Sequence, residues 1–311
     1  FSYKIGLRGE YQYNFLNSIS AAQQVESDYL GIFPSAHLSY QTSKKYSYTA
    51  SYSRRVQYPN IWYLDPFISY MNEESIWKGN PNLKPAYTNS FELGSSKFFE
   101  KVGFLSMSLY HRRTDKSHTN SLEAVYDSYL NRYTIYQFMT NSGQDIFTGA
   151  DVTFTYRPKP FINVLVNANV YNKDIYAEFD SYTVQRNEFS YDAKISFSSS
   201  LLKRYQIQLM GFYRSKSPTL QGHSDAMLFA NASLRADFFD KKLSVHMSVQ
   251  DMFNTQRSKF ETNTPSIYSV SESWSNSQYI LMGLTFRFGK IEMEKEQKRG
   301  DMNQGGGAPG M

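Results

Sequence analysis

The stretch 279-YILMGLTFRFGK-290 decides the fold. Its apolar residues Ile280, Met282, Leu284, Phe286 and Phe288 recur at every second position, the period of a strand and not of a helix. A chain of mean hydropathy −0.55 therefore closes its structured part on a strand with one greasy side. What that side meets has to be read from the rest of the chain.

The same alternation recurs upstream. Tyr3, Ile5, Leu7, Tyr11 and Tyr13 alternate with Lys4, Arg8, Glu10 and Gln12; Phe189, Tyr191, Ala193, Ile195 and Phe197 alternate with Ser190, Asp192, Lys194, Ser196 and Ser198. Leu243, Val245, Met247 and Val249 alternate with Ser244, His246, Ser248 and Gln250. Marking every such run predicts about twelve strands, near 3–13, 31–42, 46–58, 87–98, 102–114, 133–156, 161–174, 188–201, 205–215, 227–238, 243–251 and 277–288. The sixth is too long for one plain strand, and a bend is expected near Gly143 or Gly149. Composition agrees: 17% of the 311 residues are aromatic, led by 26 Tyr and 23 Phe, side chains that favour strands.

The connections sharpen the reading. Short links (Ser43–Lys45, Phe99–Lys101, Pro158–Phe161, Leu202–Arg204, Phe239–Lys242) alternate with long ones (Asn14–Leu30, Pro59–Ala86, Asp115–Arg132, Ile175–Asn187, Lys216–Ala226, Met252–Asn276). Many long structureless loops argue against a compact soluble domain. They suit an outer-membrane barrel, whose antiparallel strands have short periplasmic turns and long extracellular loops. A soluble β-sandwich or propeller also alternates. Tyr at strand ends (Tyr3, Tyr13, Tyr46, Tyr58) suits an interfacial girdle, and charges on the opposite face (Arg8, Glu10, Asp192, Lys194, Arg235, Asp237) suit a hydrated lumen. The fold class predicted is all-β, a transmembrane antiparallel up-and-down barrel over 1–288, with long loops extracellular and the C-terminus periplasmic. Residues 289–311, rich in charge and glycine, read as a disordered periplasmic tail.

Other classes find little support. No apolar run reaches the ~18–20 residues of a spanning helix. With no cysteine, thiolate chemistry is excluded. The net charge of +5 is spread along the chain without a dense basic run, so a nucleic-acid partner is not expected. The histidines His37, His111, His118, His223 and His246 are scattered, and "GHSD" (Gly222–Asp225) is sequence adjacency without triad geometry. No catalysis, cofactor or metal site is expected.

Three stretches carry a more particular resemblance. "GLTFRF" places Gly283, Phe286 and Phe288 as in the C-terminal signature by which barrels are recognised by the barrel-assembly machinery, although that signature usually ends the chain. Ser51–Gly94 resembles the central region of the outer-membrane β-barrel family related to TonB-dependent receptors, common in the Bacteroidetes. There Arg54, Arg55, Pro59, Asp65, Pro66 and Phe67 match, followed by Gly79, Asn80, Pro81, Asn82, Leu83 and Pro85 of "GNPNLKP", then Glu92, Leu93 and Gly94. Asp237–Asn254 is similar to the family's penultimate hairpin. The resemblance implies a receptor or transporter that binds or imports a nutrient at the cell surface, with a barrel of about 22 strands, an upstream plug and coupling to TonB. Starting inside a strand at Phe1, the chain is expected to be the C-terminal portion of such a barrel; a self-contained small barrel acting as adhesin, assembly protein or passive channel is the competing expectation.

Physically, "GNPNLKP" reads first as a loop brace: Gly79 permits unusual backbone, the prolines fix φ, and the Asn side chains bond local backbone. The loop aromatics Trp62, Tyr63, Phe67, Tyr70 and Trp77 read either as ligand-stacking surfaces for a glycan or aromatic chelator, or as self-packing of the loop.

Overall fold

The computed structural model describes residues 1–288 other than 20–22, 43–44, 101, 129–130, 180–181, 203, 266 and 275. The tail expected over 289–311, and most of the first short link, lie outside the described residues.

The chain forms β1 (Ser2–Ser18), β2 (Gln23–Gln41) and β3 (Tyr46–Gln57), then a connection holding the one-turn helix α1 (Ile61–Leu64) and short strands β4 (Ile68–Tyr70) and β5 (Ser75–Lys78). Next come β6 (Ala86–Phe99), β7 (Gly103–Asp127), β8 (Arg132–Lys159), β9 (Ile162–Glu178), β10 (Thr183–Leu201) and β11 (Tyr205–Arg214). The remainder is β12 (Ser217–Thr219), β13 (Gly222–Ser224), β14 (Met227–Phe238), β15 (Leu243–Gln250), β16 (Ser258–Asn263), β17 (Tyr268–Ser273) and β18 (Tyr279–Phe286).

The main sheet runs β1, β2, β3, β6, β7, β8, β9, β10, β11, β14, β15, β18, so each long strand pairs with the next long strand in sequence. All ladders along this path are antiparallel, which is the predicted up-and-down order. The sheet is open: among the described residues no ladder joins β1 to β18. An open edge cannot face hydrocarbon, because its N–H and C=O groups find no partner there.

The alternation read from sequence sorts the two faces. In the β1–β2 ladder Ile5 is opposite Ala36 and Leu7 opposite Pro34, while Lys4 is opposite His37. At the other end Met247 is opposite Met282 and Val245 opposite Leu284. Directly opposed residues share a face, so one face is predominantly apolar and the other predominantly polar. The apolar face has no protein against it: Ile5 is 76% exposed, Leu93 61% and Met282 71%. In a sandwich those side chains would form the core. Here the buried apolar clusters, Leu64–Leu83–Met139 and Ile175–Ala177–Val184–Leu220, lie at the end of the sheet that bears the long connections.

Those connections differ from expectation. The regions Asn14–Leu30, Asp115–Arg132 and Ile175–Asn187 are mostly not loops; β1–β2, β7–β8 and β9–β10 continue through them as extended hairpins. Continued pairing satisfies both backbones without further partners. The expected irregularity near Gly143 takes the form of register shifts between Asp115, Ser117 and Thr119 on β7, opposite Gln144, Gly143 and Thr140 on β8, with Lys116 at φ 57° as the extra residue. The connections after β11 and β15 contribute β12, β13, β16 and β17 to a separate four-stranded sheet.

Candidate functional site: the interlocked loop end

At the long-connection end the loop from Pro59 to Pro85 folds onto the β7–β8 hairpin. Strand β5 adds in parallel to β8, with Ser75 opposite Ile135 and Trp77 opposite Gln137, and β4 pairs with β5. The family motif sits where this loop meets three other strands. Gly79 lies so close to Asp65 that a Cβ there would come within 2.1 Å of the Asp65 carbonyl oxygen; only glycine fits. The Asn80 N–H donates to the Tyr63 carbonyl at 2.6 Å, and its side-chain amide donates to the Met139 carbonyl at 3.1 Å. Asn80 Oδ1 in turn accepts from the Asn82 N–H at 3.0 Å.

The neighbouring residues extend the brace. The Leu83 carbonyl accepts from Tyr29 Oη on β2 at 3.0 Å. The Lys84 N–H donates to Asn141 Oδ1 at 2.7 Å, while Asn141 Nδ2 donates to the carbonyls of Lys84 and Lys116, each at 2.8 Å. Leu83 itself is buried with Leu64 and Met139, against Leu16, Tyr63 and Trp77. Pro81 and Pro85 remove two N–H groups that this crowded crossing would otherwise have to satisfy. The motif thus ties β2, β7 and β8 together through one loop.

The five loop aromatics do not converge. Tyr63 and Trp77 turn into the buried cluster with ring centroids 6.1 Å apart, whereas Trp62, Phe67 and Tyr70 are exposed. In β18, Gly283 is opposite His246, and a Cβ on it would come within 2.0 Å of the imidazole. Phe286 is opposite Leu243 on the apolar face and packs edge-on against Phe288 at 4.7 Å.

Gln221, Lys173 and Asp251, none of them singled out in the sequence, organise the rest of this end together with His223. Gln221, in the turn between β12 and β13, is buried and binds the backbone of Leu122 on β7. Lys173 on β9 donates to the Pro218 carbonyl at 2.9 Å, and His223 on β13 lies 2.8 Å from Glu188 on β10. Asp251, which follows β15, is fully buried; its oxygens accept from the N–H of Thr255 at 2.9 Å, the N–H of Gln256 at 3.1 Å and Ser277 Oγ at 2.6 Å. Burial pushes its carboxyl up, but the hydrogen bonds from Ser277, Thr255 and Gln256 outweigh that and hold it below the ordinary aspartate range. Asp251 opens "DMFN", the close of the hairpin motif, so a signal for it was present; Gln221 had none. Among the described residues no three His, Asp or Glu gather in a way that could hold a metal ion.

An open antiparallel sheet, apolar and uncovered on one face, polar on the other and crossed by braced loops at one end, has the architecture of an outer-membrane barrel wall. The model of the outer membrane protein beta-barrel family matches residues 1–288. The chain belongs to that family. No curated protein sequence matches it. Among solved structures this family member resembles the siderophore receptor PirA from Pseudomonas aeruginosa, with TM-score 0.56 and 13% identity over 81% of this chain and 46% of that one. It also resembles the FrpB iron transporter from Neisseria meningitidis, with TM-score 0.59 and 13% identity over 92% of this chain and 43% of that one. A third is a double mutant of the Serratia marcescens hemophore receptor HasR in complex with its hemophore HasA and heme, with TM-score 0.57 and 10% identity over 92% of this chain and 47% of that one. At these identities the likeness is one of fold. The chain spans less than half the length of these receptors.

Proposed function

We propose that this barrel wall is part of a cell-surface receptor or transporter of the TonB-dependent type, which binds or imports a nutrient and performs no catalysis. The observation that carries the reading is the open sheet: twelve successive long strands pair in order, yet among the described residues the first and last have no partner at their outer edges, so a closed barrel calls for further strands. That favours a portion of a large receptor barrel over a self-contained small one. The long-connection end then faces outward and the short turns face the periplasm. A plug elsewhere in the full protein would fill the polar face and reach TonB, and Gly283, Phe286 and Phe288 would present the last strand to the assembly machinery.

In this reading the brace around "GNPNLKP" holds the outer loops in a fixed shape, while the exposed rings of Trp62, Phe67 and Tyr70 offer contact surface to a ligand. The test is uptake. Deleting the full-length gene should abolish growth on one nutrient source, and that compound added to intact cells should protect the loop 59–85 from protease. Normal growth on every source tested, with no compound protecting the loops, would remove the receptor reading.

A further inference from the structure

The two ends of the sheet carry opposite charge. The five short-turn segments 42–46, 97–102, 157–161, 202–205 and 238–242 hold Lys or Arg at ten positions and an acid only at Glu100 and Asp240. Every connection at the opposite end (15–29, 58–85, 116–132, 174–188, 215–226, 251–278) is neutral or acidic. Three of the cations are also placed on aromatic rings near the turns. Lys97 Nζ lies 4.1 Å from the ring centroid of Tyr46 and 4.9 Å from that of Phe99. The Arg204 guanidinium lies 4.1 Å from the Phe238 ring and 5.7 Å from Tyr205, and Lys159 Nζ lies 5.7 Å from Phe161. Tyr46, Phe99, Tyr205 and Phe238 continue the apolar rows of their strands, opposite or in line with Tyr48, Leu93, Ile207 and Leu243. At two turn tips the outermost side chains are themselves apolar: Leu202 is 86% and Phe239 73% exposed.

We propose that this short-turn rim is a binding belt for anionic phospholipid headgroups. Its occupant must be apolar below the rings and negatively charged level with the ammonium and guanidinium groups. A free anion or an acidic protein meets only the second requirement; the interface of an anionic bilayer meets both. The charged ends of Lys97, Lys159 and Arg204 lie over the rings themselves, at the edge where the apolar rows end. Lys45, one of the ten, is not assigned to the belt, since it is paired with Glu100 of the next turn. The choice of phospholipid over other anionic lipids rests on the periplasmic placement of the short turns under the proposed function.

The experiment uses the full-length protein in nanodiscs of equal parts phosphatidylglycerol and phosphatidylcholine, with retained lipids counted by native mass spectrometry. Phosphatidylglycerol should be retained preferentially, and the triple variant Lys97→Gln, Lys159→Gln, Arg204→Gln should lose the preference by about fivefold per cation removed. Heat-modifiable gel mobility shows whether the variant is folded; if it is not, the exposed single variant Lys159→Gln gives the same comparison. Equal retention of the two lipids, an unchanged preference in the folded variants, or displacement of phosphatidylglycerol by inorganic phosphate alone would each overturn the proposal. Growth assays are unaffected by this outcome, so failure of the lipid belt and failure of the receptor reading are separable.

Discussion

Gln221 meets Leu122 across the loop end with the two-bond exchange of a neighbouring strand: its Oε1 accepts from the Leu122 N–H at 2.9 Å and its Nε2 donates to the Leu122 carbonyl at 3.2 Å. One side-chain amide thereby closes the free edge of β7, and Nε2 also reaches Tyr182 Oη at 3.0 Å. Gln221→Ala should leave a buried backbone pair unmet and loosen the contact by about 1–3 kcal/mol. Hydrogen exchange at the Leu122 amide should speed up while exchange in β14 and β15 stays as it was. Unchanged protection at Leu122 would show that the amide contact does not hold the edge.

Gly79→Ala should be costly. The added methyl would strike the Asp65 backbone, which cannot swing away as a side chain would. Overpacking of this kind costs roughly 1–3 kcal/mol. The measurable result is faster proteolysis of the loop 59–85 with the heat stability of the barrel unaltered.

Asp251 should make the neighbouring loop acid-sensitive. Its folded carboxyl titrates below the unfolded value of about 3.9, so its contribution is fully present above that pH and is lost as pH falls through the depressed folded value. Exchange at the Thr255 and Gln256 amides, slow at neutral pH, should rise relative to other loop amides only in strong acid. In Asp251→Asn these amides should be weakly protected at every pH.

The Gly283–His246 pair separates two roles for the last strand. If Gly283 is needed because the imidazole lies over it, Gly283→Ala should lower barrel yield and the double variant with His246→Ala should restore it. If Gly283 acts as part of an assembly signal, the second substitution should restore nothing. Folded protein recovered from outer membranes measures both.

Leu209, mid-strand on the apolar face of β11, should not tolerate charge. Leu209→Arg is expected to cost about 2–4 kcal/mol at bilayer depth. Its neighbour Gln208 lies on the polar face within 3.5 Å of Ser233, and Gln208→Arg should be accepted. Equal loss of folded protein in the two variants would contradict the assignment of the faces.

How much of this was legible in the sequence follows from the range of each interaction. The faces of Leu209 and Gln208 and the short turns depend on residues a few positions apart. Alternation reports them directly. The brace was legible only in kind: glycine, proline and asparagine announce a fixed loop, but the Met139, Asn141 and Tyr29 partners are 54 to 59 residues distant from the atoms they bind. Gln221 is an unremarked polar residue until the fold brings Leu122 beside it, 99 positions away.

The sequence alone determined that this chain is a run of antiparallel strands with one side made for hydrocarbon, because a period of two is a local consequence of backbone geometry. Only the tertiary structure decided that three of the expected loops continue as hairpins, that the loop end locks together through Asn80, Asn141 and Gln221, and that among the described residues the sheet stays open between Ser2–Ser18 and Tyr279–Phe286. Buried backbone groups must be paired, and which distant segment supplies the partner is fixed by three-dimensional proximity, for which a linear pattern holds no record.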